Sequence, residues 1–180
     1  MRNRAALLEA ARVVFQRDGL AAQIDDIAAQ AGLGVGTLYR HFPTKEALIE
    51  LMVRERVTLL LERARAALQA PDAWEGLESF VWGFATFEAE DRAIADVLVE
   101  AQQRDVPRQF DNELLEIVRA LVARAQAAGQ LRADVSGQDV LTAVCMIGKV
   151  MELGADDDSG RWRRLVGVIL QGLRATTSAD

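Results

Sequence analysis

The chain has 180 residues, 51% of them hydrophobic, and a formal net charge of −6. That length suits one domain or two small ones sharing a core, and the apolar fraction excludes general disorder. A single cysteine, Cys145, and a single histidine, His41, exclude an internal disulfide and a cysteine-based zinc site, and leave one possible imidazole base for nucleophilic catalysis.

Three prolines, Pro43, Pro71 and Pro107, separate long stretches rich in Ala, Leu, Arg and Glu. Apolar residues recur there at helical spacing, so the chain reads as all-α. The first predicted helix covers about residues 3–17, with Leu7, Ala11, Val14 and Phe15 as its apolar stripe and Gly19 as its stop. The second covers about 24–31, with Asp25 and Asp26 at its positive end. A glycine cluster, Gly32, Gly34 and Gly36, leads into a short third helix over 37–42, which Pro43 ends. Thr44 caps a long fourth helix reaching about residue 69. Asp72 and Glu75 open a fifth over 73–89 whose apolar residues cover most of its circumference, which makes it central. A sixth is expected over 92–102, and a seventh over 109–128 with Gly129 as its stop. Ser136 with Asp139 opens an eighth through Met151, and a ninth spans 160–174.

No apolar run approaches the roughly 18 residues that span a bilayer, and no secretory leader pattern stands at the start. A soluble, cytoplasmic protein without a membrane partner is expected. No nucleophile–base pair, paired carboxylates or metal-ligand spacing appears, so no catalytic residue, metal or cofactor is assigned.

Two short helices joined by a glycine turn have the spacing of a helix-turn-helix, whose second helix enters the major groove. At about 100° per residue, Val35, Leu38 and Phe42 fall on one side of the third helix and are expected to pack inward. Gly36, Thr37 and Arg40 fall opposite, towards a groove. Tyr39 and His41 fall on the flanks, where each can donate to a phosphate. Arg40 suits a bidentate contact to guanine, and Lys45, in the first turn of the next helix, suits a phosphate. The plainer alternatives stay open here: a simple helix–helix turn at Gly32 to Gly36, and Tyr39 as a half-buried packing residue.

The stretch from Gln23 to Leu48, QIDDIAAQAGLGVGTLYRHFPTKEAL, resembles the DNA-binding signature of TetR-family transcriptional regulators, and residues 10–19 match that family's first helix. The resemblance implies a nine-helix homodimer. It also implies a helix-turn-helix DNA-binding domain over 1–46 and a ligand-binding and dimerisation domain over 47–180. Carried over by position, the base-contacting face falls on Val35, Gly36, Thr37 and Arg40, and the phosphate contacts on Gln23, Tyr39, His41 and Lys45. Two departures stand out. Gln23 occupies a position where the family often has Ser or Thr, and for the basic arm that many members carry this chain offers only Arg2 and Arg4.

The resemblance also implies an effector pocket among the fifth to eighth helices. Phe80, Trp82, Phe84 and Phe87 are its candidate apolar walls, and Thr86, Gln102, Gln103, Thr142 and Cys145 its candidate polar groups. Ordinary core is the alternative for each aromatic. Val144, Ile147, Gly148 and Met151 on the eighth helix, and Trp162, Leu165, Val166, Ile169 and Leu173 on the ninth, are the candidate dimer face. The alternative is an intramolecular pair packed on the fifth helix.

The expected function is a homodimeric repressor that a small, largely apolar effector releases from a double-stranded operator. A helical small-molecule carrier or sensor that does not bind DNA is the competing reading, favoured by the acidic charge. Residues 1–56 carry eight Lys/Arg against seven Asp/Glu, and residues 57–180 thirteen against twenty. The acidity therefore lies almost wholly outside the segment expected to meet DNA.

Overall fold

The computed structural model describes residues 2–90, 108–153 and 160–175. They form eight α-helices: α1 (Arg2–Asp18), α2 (Ile24–Gln30), α3 (Val35–His41), α4 (Lys45–Leu68), α5 (Ala73–Glu90), α6 (Arg108–Ala127), α7 (Gly137–Leu153) and α8 (Arg161–Leu173). The bounds agree with the sequence periodicity to within one or two residues. The helix predicted over 92–102 lies outside the described residues, as do Gln102 and Gln103.

The chain divides into two compact units between Thr58 and Leu59, inside α4. In the first, Leu7, Ala11, Val14 and Phe15 form the buried stripe of α1. Ile27 and Ala28 of α2, Leu38 of α3, and Leu48, Ile49 and Met52 of α4 belong to the same core. Each of the larger side chains, the Leu, Ile, Val, Phe and Met residues, contributes on the order of 1.5–3 kcal/mol when removed from water. The first turns of α4 are thus part of the N-terminal core, and the unit extends past residue 46, where the sequence suggests the boundary.

The turn between α2 and α3 follows from Gly32, whose φ of +65° only glycine adopts without strain. Its N–H donates to the Ala29 carbonyl and that of Leu33 to the Ala28 carbonyl, both at 3.0 Å. Those two bonds are a Schellman closure of α2. A short 3₁₀ turn, Gly19–Ala21, closes α1.

In the second unit α5 is central, packing against α6, α7 and α8. Trp74, Leu77, Phe80, Val81, Ala85 and Phe87 of α5 are all buried, which explains why its sequence is apolar on most sides. Gly76 lets α5 pass close to the chain leaving α4, because a Cβ there would stand 2.7 Å from the Ala67 carbonyl oxygen. The Arg124 guanidinium of α6 donates to the Leu68 carbonyl and, at 2.7 Å, to that of Ala70. It thereby satisfies acceptors that the end of α4 leaves open. At α7 the capping box is reciprocal: the Asp139 N–H donates to Ser136 Oγ at 3.2 Å and the Ser136 N–H to Asp139 Oδ2 at 2.8 Å.

A clasp joins the loop after α6 to the chain after α8. Leu131 and Arg174 form an isolated antiparallel bridge. The Arg132 N–H donates to the Leu173 carbonyl at 3.1 Å and the Ala175 N–H to the Gln130 carbonyl at 3.0 Å. The Gln130 side chain accepts from the Trp74 N–H at 3.0 Å and donates to Asp72 Oδ2 at 2.9 Å, which ties the clasp to the start of α5. The Arg174 guanidinium lies 4.2 Å from the Trp74 ring centroid.

The proposed dimer face needs correction. Val144, Ile147 and Met151 of α7 and Val166 of α8 are buried inside this chain. They recur at i, i+3 and i+4 spacing because α7 packs on α5 and α6, and α8 on α5 and α7, so these side chains are already covered within the chain. Gly148, Trp162, Leu165, Ile169 and Leu173 are half-buried. The large apolar side chains left open on these helices are Met146, 61% exposed, and Val168, 64% exposed.

Candidate nucleic-acid interface

The helix α3 has two faces. Leu38 and Phe42 are buried in the N-terminal core and fix the helix in place. Gly36, Arg40 and His41 are exposed, as are Val35 at 39% and Tyr39 at 44%, while Thr37 is half-buried. Val35 therefore departs from the expectation that it packs inward. It is the first residue of α3, two residues earlier than the periodicity suggests, and it has no preceding turn to cover it. Its exposure fits the base-contacting role that the family resemblance implies.

Gly36 sits inside the first turn of α3, and a Cβ added there would meet nothing within 4 Å. Neither φ nor crowding requires glycine at this position. Glycine in a helix costs roughly 0.5–1 kcal/mol relative to alanine. The absence of a side chain is useful only if something outside the chain approaches that backbone.

Arg40 has no hydrogen-bond or ion-pair partner among the described residues, and Tyr39 beside it is 44% exposed. The ring of His41 is tilted at 45° against that of Phe42 at the end of α3, with centroids 6.3 Å apart. Gln23 is exposed and precedes α2 without capping it; its Nε2 instead donates to the Ala21 carbonyl at 2.8 Å. Thr44 caps α4 by accepting from the Ala47 N–H at 3.1 Å.

Lys45 has an intramolecular role that spacing did not reveal. Its ammonium donates to the Ala22 carbonyl at 2.8 Å and lies 5.7 Å from the Phe15 ring centroid. It fastens the start of α4 to the chain leaving α1. Arg4 is likewise engaged, standing 4.0 Å from Glu55, with Arg12 at 3.6 Å from the same carboxylate. Arg17 grips Asp18 through Nε at 2.8 Å and Nη2 at 2.6 Å, and this hydrogen bonding holds the Asp18 carboxyl below the usual carboxylate range.

Phe80 and Phe87 are core, Phe84 lies 6.3 Å from Phe80 by ring centroid, and Trp82 meets the edge of Trp162 at 6.2 Å. Thr142 and Cys145 are exposed on α7, and the Thr142 hydroxyl donates to the Gln138 carbonyl at 2.8 Å. Both lie on the side of α7 opposite its buried stripe. An open groove of about 540 Å³ runs along the end of α4. Arg63, Ala66, Ala67 and Ala70 line one side, and Ser79, Gly83 and Thr86 of α5 the other. Of the expected polar groups only Thr86 is there. Arg63 with alanines at i+3, i+4 and i+7 was a readable signal for such a groove.

No helix among the described residues is long and apolar enough to cross a membrane. No group of three or more His, Cys, Asp or Glu side chains among them is placed to hold a metal ion.

The sequence profile described as bacterial regulatory proteins of the tetR family matches residues 7–52. That described as the transcriptional regulator SbtR-like C-terminal domain matches residues 72–175, more than half of the chain. The chain belongs to the TetR family of transcriptional regulators. It is 36% identical over 110 residues to the HTH-type transcriptional repressor KstR2 of Mycolicibacterium smegmatis, covering 58% of this chain and 53% of that one. The chain thus spans about half the length of these curated relatives. It is 24% identical to the HTH-type transcriptional regulator UidR of Escherichia coli, over 96% of this chain and 89% of that one. A TetR transcriptional regulator from Streptomyces coelicolor shares its fold with a TM-score of 0.74 and 32% identity, over 97% of this chain and 99% of the other. A TetR regulator from Mycobacterium vanbaalenii gives 0.70 and 34%, over 96% and 95%.

Proposed function

We propose that this chain is a homodimeric, sequence-specific DNA-binding repressor whose operator affinity a small molecule lowers. The observation that carries the reading is the exposed face of α3, held outward by the burial of Leu38 and Phe42. In this reading Arg40 contacts base edges, with Val35, Gly36 and Thr37 close beside them. Gln23, Tyr39 and His41 meet phosphates. The ammonium of Lys45 orients α4, so that the open N–H groups of its first turn meet a phosphate.

A single half-site contact is weak, and two recognition helices about 34–36 Å apart supply the affinity. The second chain is expected to cover Met146 and Val168. Control passes through α4, one continuous helix of 24 residues. Its first turns belong to the N-terminal core and its last turns border the groove. A ligand that binds better when α4 is displaced lowers operator affinity, and operator lowers ligand affinity by the same factor.

The test is selection of bound sequences from random duplex DNA, followed by mobility shifts at rising salt. A defined operator is expected, with affinity falling steeply as salt rises. The engagement of Lys45, Arg4 and Arg17 inside the chain favours the second reading, a carrier or sensor that leaves DNA alone. No selected sequence and no shift at low salt would establish that reading instead.

A further inference from the structure

We propose that the groove along the end of α4 takes an amphipathic carboxylate, with the Arg63 guanidinium as its anchor. This rests on the effector-responsive reading above and supplies the chemical class of the ligand. The groove's volume, about 540 Å³, lies in the range of small-molecule sites. Ala66, Ala67 and Gly83 leave room for an apolar body, and no Asp or Glu is among the lining residues.

Arg63 stands out by how it is held. Its guanidinium carbon lies 4.9 Å from the centroid of the Phe87 ring. A cation–ring contact uses none of the guanidinium N–H groups as hydrogen-bond donors, and their fork matches a carboxylate in a bidentate pair. No carboxylate or carbonyl accepts from it among the described residues. Its neighbours are committed: Arg65 pairs with Glu113, and Arg124 donates to the carbonyls of Leu68 and Ala70. The surrounding sequence is acidic, with thirteen Lys/Arg against twenty Asp/Glu over residues 57–180. That acidity disfavours anions in general, and among the groove's lining residues Arg63 is the cation that can select one.

The test is calorimetric titration of the full chain with octanoate and with 2-naphthoate, each against its uncharged primary amide. Each acid is expected to bind about tenfold more tightly than its amide. Arg63→Gln, which removes the charge and keeps a polar end on a shorter stem, is expected to erase that difference, while Arg63→Lys keeps part of it. Thermal melts of each variant check folding. Equal binding of acid and amide, no binding of either acid, or an undiminished preference in Arg63→Gln overturns the proposal. A parallel mobility shift on the selected operator separates the two readings. Arg63-dependent acid binding without operator release removes the effector role and leaves the groove assignment standing. Operator release by an uncharged compound, with no acid bound, does the reverse.

Discussion

At the residue scale, Gly36 and Arg40 make opposite demands on the same short helix. Gly36→Ala removes backbone freedom from the unfolded chain and introduces no clash, since nothing lies within 4 Å of the new Cβ. It is expected to stabilise the free protein by about 0.5–1 kcal/mol in denaturant melts and to weaken operator binding in mobility shifts. A variant that is stabler and binds DNA unchanged would mean that no backbone approach occurs at Gly36. Arg40→Ala is expected to leave the melt unchanged, because the side chain has no partner to lose. It is expected to relax preference at one base pair by about 1–3 kcal/mol, read by competition among single-base operator variants. Equal discrimination by mutant and wild type would take Arg40 off the base edges.

At the element scale, the ends of helices were legible in the sequence because capping chemistry is local. Gly32 and Gly129 stop α2 and α6 with positive φ, Thr44 caps α4, and Ser136 with Asp139 opens α7, each recognisable within four residues. Which body covers an apolar stripe was not legible. Val144, Ile147 and Met151 announce one face of α7, but periodicity does not say whether α5 or a second chain lies against it. The Lys45 contact was not legible for a related reason: its acceptor, the Ala22 carbonyl, is distant in sequence and carries no side-chain signal. The Arg124 contact was invisible on the same ground. Arg124→Met keeps the stem but leaves two half-buried carbonyls unpaired, and is expected to cost about 1–3 kcal/mol in urea melts. A loss below a few tenths would mean water replaces the guanidinium without penalty.

At the scale of the whole molecule, charge and assembly set the behaviour. Asp72, held by Gln130, and Asp139, held by Ser136, both have carboxyls below the usual carboxylate range. A depressed folded-state pKa adds stability above the unfolded value, and that stability is lost as pH falls through the folded one. Melting temperature is therefore expected to fall as pH drops below about 4, and less steeply in Asp139→Asn. Identical profiles would show that the cap titrates as it does in the unfolded chain. Val168→Asp, on the open side of α8, is expected to yield a folded monomer in sedimentation velocity, with operator affinity lost. A dimer that survives would move the interface elsewhere. The clasp between residues 130–132 and 173–175 has a further consequence. It closes α7 and α8 into one loop whose two ends are hydrogen-bonded to each other and to the start of α5. The N–H groups of Arg132 and Ala175, remote from any helix interior, should therefore exchange with deuterium as slowly as those of α5 and open only with it.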